Sequence, residues 1–179
     1  MRTLLSFVFL CAAAVAQTAH TTPNPASPQN LDRPFPGGVG HYQQWYKASE
    51  LLAGFTTPMR FEQVEFFAGS NQSSNATTID MEVSIGHGNS LGLTGTFASN
   101  FSGTPVIVLP RQNVQLLAGG PGAVVMTVPF TNLFTWDHQR PVVIDIKIFG
   151  NSRANQPFVY NLRGTTAGGN LTSRNYVAG

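Results

Sequence analysis

The string Gly88-Asn89-Ser90-Leu91-Gly92 has the G-x-S-x-G form of a nucleophile elbow, and Asp137 and His138 follow it in hydrolase order. An elbow works because a strand turns sharply into a helix that presents the serine. Here Leu93-Thr94-Gly95-Thr96-Phe97 comes next, a Gly- and Thr-containing run that reads as strand. In a chain with 18 Gly, a hairpin connection is the better account of Gly86, Gly88 and Gly92. Asp137 and His138, being adjacent, are poorly placed to orient each other as partner and base. No catalytic residue is assigned. Asp80 and Glu82 share the polar face of one strand with α-carbons ~7 Å apart, a spacing that permits a glycosidase-like pair. A solvated strand face is the plainer reading. Glu62 and Glu65 lie in a less regular run where a bulge is expected.

Four histidines, His20, His41, His87 and His138, show no H-x-H or H-x-x-x-H spacing, so zinc would need ligands from distant loops. No D-x-D-x-D-G run exists for calcium, and Gly69 to Asn75 offers only neutral oxygens. Neither a metal nor a cofactor is expected. The aromatic residues Tyr42, Tyr46 and Trp136, with Trp45, could stack on sugar rings. If His41 to Lys47 is extended, Tyr42 and Tyr46 share a face ~13 Å apart and Trp45 points the other way, so one side is core. Packing is the favoured reading, since a sandwich of this size needs large core residues, with Tyr42, Tyr46 and Trp136 as the ligand-binding candidates.

These residues sit on short apolar runs separated by Gly, Pro, Asn and Ser clusters, a pattern of β-sheet. The clearest strand is Thr78 to Ile85, where Ile79, Met81, Val83 and Ile85 alternate with Asp80, Glu82 and Ser84. Val142 to Phe149 is a second, expected to be central, with Val142, Ile144, Ile146 and Ile148 on one face and Asp145 and Lys147 in the middle of the other. Weaker strands are expected at 41–47, 60–67, 93–97, 106–109, 123–130, 133–136, 158–162 and 174–177. Only Lys47 to Ala53 carries helix signals, enough for about two turns. The expected fold is all-β, an antiparallel two-sheet sandwich, jelly-roll-like, of roughly 8–10 strands.

Residues 1–16 read as a signal peptide: Arg2, an apolar run from Leu4 to Val15, then Ala14-Val15-Ala16 before Gln17. That run is shorter than the ~20 residues that span a bilayer, so no membrane span is expected after cleavage. Cleavage also removes Cys11, the one cysteine, leaving no disulfide. Residues 17–40, with Pro23, Pro25, Pro28, Pro34, Pro36 and Gly37-Gly38, are expected to be a mobile leader before a 41–179 domain. The formal charge of +2 marks no basic patch, so no nucleic-acid partner is expected. Sequons occur at Asn71, Asn75, Asn100 and Asn170.

The block His41-Tyr42-Gln43-Gln44-Trp45-Tyr46-Lys47-Ala48-Ser49 resembles the opening of a group of secreted bacterial β-sandwich domains of planctomycete and acidobacterial type, some with surface-sorting tails. Pro129-Phe130, Phe134-Thr135-Trp136-Asp137 and Val143-Ile144-Asp145-Ile146 resemble its late pair of strands joined by an Asp turn. The resemblance implies an extracellular sandwich and transfers no catalytic residue. The ending Tyr176-Val177-Ala178-Gly179 has no hydrophobic helix with a basic tail, so sorting is not expected from this sequence, which reads as a piece of something longer.

The expectation is a secreted, non-catalytic β-sandwich with an extracellular binding or structural role, its partner a polysaccharide or another extracellular protein. A carbohydrate-binding module or carbohydrate-active enzyme is the first alternative and would expose Tyr42, Tyr46 or Trp136 beside a cleft. A self-assembling surface or filament subunit is the second and would expose edge strands.

Overall fold

The computed structural model describes residues 29–31, 34–52, 55–70, 75–164 and 172–179. Its strands are β1 (Gln29–Leu31), β2 (Gly40–Tyr46), β3 (Met59–Phe67), β4 (Thr77–His87), β5 (Val106–Leu116), β6 (Val124–Trp136), β7 (Val142–Asn151), β8 (Leu162–Gly164) and β9 (Thr172–Ala178), with one short helix, α1 (Ala48–Leu52). Five form an antiparallel sheet in the order β5-β4-β7-β2-β9, and β3 pairs with β6. The period-2 alternation decides the faces. Ile79, Met81, Val83 and Ile85 from β4 and Ile146 and Ile148 from β7 meet Val125, Met126, Val128 and Trp136 from β6 in one core. This is the all-β antiparallel sandwich expected from the sequence.

β5 and β6 run side by side and close one flank of the sandwich. The Leu117 N–H donates to the Val125 carbonyl at 2.8 Å. Farther along, Thr131 Oγ1 donates to the Val108 carbonyl and Asn132 Nδ2 to that of Ile107, so side chains satisfy acceptors that a straight ladder would have served. A short β1–β8 pair is tied to the β3 end by an antiparallel bridge between Ala68 and Leu162. Of two register shifts in β3, one falls between Phe61 and Gln63, at the irregular Glu62 run, and the other between Phe66 and Phe67.

Several expectations change. Residues 123–130 and 133–136 form one strand, β6. The strand expected at 93–97 is absent: Thr94 N and Thr94 Oγ1 both donate to Asn100 Oδ1, at 2.7 and 2.9 Å, and a 3-10 turn spans Phe97–Asn100. The Asn100 amide has taken the Thr94 N–H and carbonyl that a neighbouring strand would need. The run at 158–162 is irregular, with the Phe158 N–H donating to the Pro36 carbonyl, and strand begins only at Leu162. The latter part of the expected mobile leader is built into the fold. Phe35 is fully buried and meets the Phe66 ring edge-on at 4.9 Å. Pro36 is the second residue of a 3-10 turn over Phe35–Gly37, near a start where its fixed φ and missing N–H are tolerated. The signal segment, Cys11, His20, Asn71 and Asn170 lie outside the described residues. No helix among the described residues is long and apolar enough to cross a membrane.

Candidate functional site: the outer face of the large sheet

Strand register brings the polar side chains of the large sheet into rows on the face away from the core. Glu82 of β4 lies opposite Lys147 of β7, which lies opposite His41 of β2. The next row holds Ser84, Asp145 and Gln43, and the third Gly86, Val143 and Trp45. Each carboxylate in this face has a partner. Arg111 forks onto both oxygens of Asp80, with its Nη2 at 2.7 Å from Oδ2, and its guanidinium lies 4.2 Å from the Phe149 ring centre. That hydrogen bonding holds the Asp80 carboxyl below its usual range and raises Arg111. Lys147 Nζ donates to Glu82 at 3.1 Å. Asp80 and Glu82, the candidate acid pair, are thus each engaged by a cation from a neighbouring strand.

The segment 88–105 folds over one end of this face and is held there by buried polar contacts. Asp145, 5% exposed, has Oδ1 2.6 Å from His41 Nε2 and accepts from Gln43 Nε2 at the same distance. Gln43 in turn accepts from Asn100 Nδ2 at 2.7 Å, and Asn100 is fully buried. The Phe97 ring stacks on His41 with centroids 4.0 Å apart. Trp45 Nε1 donates to the Asn89 carbonyl at 2.8 Å. Gly86 makes room for this cover: a Cβ there would sit 2.7 Å from Phe101 Cδ1, closer than side chains tolerate. Serine, aspartate and histidine meet on three adjacent strands in Ser84, Asp145 and His41. The cross-strand order puts the carboxylate between serine and imidazole, whereas nucleophile activation needs the imidazole in the middle.

A second polar cluster lies where the β6–β7 turn meets the end of β4. Asp137 Oδ1 accepts from the N–H groups of Gln139 and Arg140 at 3.0 Å each, and Oδ2 from Arg140 Nε at 2.5 Å. Burial pushes the Asp137 carboxyl up, but these bonds and the nearby His87 outweigh it and leave the group well below the usual carboxylate range. His87 Nε2 accepts from the Asp137 N–H at 3.2 Å, and burial lowers its pKa against the pull of Asp137. His138 takes a positive φ of 68° in this turn, its ring 5.5 Å from that of Trp136.

The elbow string is a strand end followed by a turn: Gly88 bridges Phe101, Ser90 is exposed, and no helix follows. Asp137 is engaged by Arg140 and His87, and His138 packs beside Trp136. Among the described residues no three His, Cys, Asp or Glu side chains converge as metal ligands. The aromatic candidates do not form a stacking surface. Tyr42 is 5% exposed, with its hydroxyl donating to Gln44 Oε1 at 2.6 Å, and Trp136 is fully buried, with Nε1 donating to the Arg140 carbonyl at 2.7 Å. Tyr46 is half-buried beside Val142. Rings enclosed on both sides have no free face for a sugar, so packing takes Tyr42 and Trp136. Sequence reasoning passed over Gln43, Asn100 and Asp145. The one local hint was a polar residue, Asp145, in the middle of the apolar β7 run. Comparison with protein-family profiles, with curated proteins and with solved structures gives no match to this chain.

Proposed function

We infer that this protein is a secreted, non-catalytic β-sandwich with an extracellular binding or structural role, and that its partner is another protein. The observation that carries this reading is the cross-strand pairing of the outer face: Asp80 with Arg111, Glu82 with Lys147, and Asp145 with His41 and Gln43. Acid–base work needs a group poised to exchange a proton with a substrate, whereas here each carboxylate is engaged in holding strands or a loop. Burial of Tyr42 and Trp136 weighs against a polysaccharide partner. The signal-like residues 1–16 and the resemblance of the 41–49 block to secreted bacterial β-domains support the extracellular setting.

The test is a thermal melt of the exported chain, alone and with a panel of soluble polysaccharides, because a ligand of the native state raises the midpoint by mass action. The reading expects no shift with any glycan and, by mass spectrometry, an amino terminus at Gln17. A midpoint that climbs with the concentration of one glycan would replace it with the carbohydrate-binding alternative. Residues 1–16 retained on protein recovered inside the cell would remove the extracellular setting.

A further inference from the structure

We propose that the β6–β7 turn is a proton-operated switch in which protonation of His87 draws the Asp137 carboxylate out of its own turn and loosens residues 137–141. This goes beyond the functional reading above and does not depend on where the protein resides.

The geometry is specific about which proton matters. As an acceptor from the Asp137 N–H, His87 Nε2 must be without hydrogen, so this contact requires neutral imidazole. A proton added to Nε2 sets donor against donor and ends that bond. Asp137 Oδ1 lies 3.4 Å from the same nitrogen and is the oxygen that accepts from Gln139 N and Arg140 N. An imidazolium therefore competes with the turn for the carboxylate that organises it. The charged groups facing His87 among the described residues are Asp137, which favours protonation, and Arg140, which opposes it. Phe134 covers the ring from β6, with centroids 5.0 Å apart. Burial is the largest influence and lowers the His87 pKa, so neutral imidazole and the intact turn prevail above about pH 6.5, the ordinary histidine value. The contact is lost as pH falls through the lower, folded-state value.

The same turn carries its own reporter. Trp136 Nε1 donates to the Arg140 carbonyl, so movement of 137–141 changes the environment of that indole proton. The turn also touches the segment over the outer face, since the Gly88 N–H donates to the Pro141 carbonyl, Ser102 N to the His87 carbonyl, and Arg140 Nη1 reaches Ser102 Oγ at 3.4 Å. Loosening at 137–141 thus bears on segment 88–105 at Gly88 and Ser102.

The experiment follows the Trp136 indole ¹H–¹⁵N resonance and the His87 ring carbons of the full chain from about pH 8 to 4. The expected result is one shared midpoint below about 6.5, lost in His87→Gln and retained in His138→Gln, which removes the other imidazole near Trp136. A Trp136 signal that stays fixed while His87 titrates overturns the proposal, and so does a shift that survives His87→Gln or vanishes in His138→Gln. Should His87→Gln fail to fold, Asp137→Asn serves instead. There His87 should still titrate without moving the Trp136 signal, and an unchanged Trp136 shift would refute the carboxylate's role.

Discussion

Replacing Asn100 by Ala isolates the contact that fixes segment 88–105 to the sheet. The amide makes four hydrogen bonds: Nδ2 donates to Gln43 Oε1 and the Thr94 carbonyl, and Oδ1 accepts from Thr94 N and Thr94 Oγ1. Truncation leaves Gln43 Oε1 without this donor in a side chain only 1% exposed. A buried polar group left unpaired costs ~1–3 kcal/mol. Thr94 is exposed and recovers most of its loss from water. The sum is about 3 kcal/mol, at the upper end of ordinary single substitutions. For a chain of this size that lowers the midpoint by roughly 6–12 °C. Urea and thermal unfolding followed by far-UV circular dichroism measure it, with Ser90→Ala as the control. Ser90 is exposed in the same segment, and its truncation should stay within about 0.5 kcal/mol. A double-mutant cycle with Gln43→Ala should show coupling, the pair costing less than the sum of the singles. If Asn100→Ala falls inside the Ser90→Ala range, the network does not hold the segment and the account of the outer face is wrong.

Gly86→Ala places a methyl 2.7 Å from the Phe101 ring and should destabilise by about 1–3 kcal/mol, and a neutral result in urea melts would mean that Phe101 yields freely. Asp137→Asn should cost stability at neutral pH. Because the folded-state carboxyl is depressed, its contribution is present above the unfolded value of about 3.9 and is lost as pH falls through the folded one. The gap between wild type and Asp137→Asn should therefore narrow below about pH 4, and a gap that widens there contradicts the assignment. In a host that glycosylates asparagine, Asn100 should be unoccupied in folded, exported protein despite its sequon, because its nitrogen donates to Gln43 in the core. Intact-glycopeptide mass spectrometry that finds a glycan on Asn100 of folded protein would refute that burial. Trp136→Ala, removing a fully buried ring, should cost about 3–5 kcal/mol, and retention of full stability would show that the ring is not core.

The strand faces were legible from the residues because side-chain direction in a strand is a local property. Ile79, Met81, Val83 and Ile85 had to share a side, as did Asp80, Glu82 and Ser84, whatever lay above them. The irregular register at Glu62 and the lack of a helix after Ser90 were legible for the same reason. Alternation assigns two residues to one face without saying whether another segment covers it, and that is where tertiary structure decided. Tyr42 and Trp136 became core, Thr94 in the Leu93 to Phe97 run turned its backbone to the Asn100 amide, and Phe35 left the expected leader to pack on Phe66. Asp145 joined His41 and Gln43 from a strand about a hundred residues away in sequence. Each depends on contacts between distant parts of the chain, and these are set by how the strands order and close into layers.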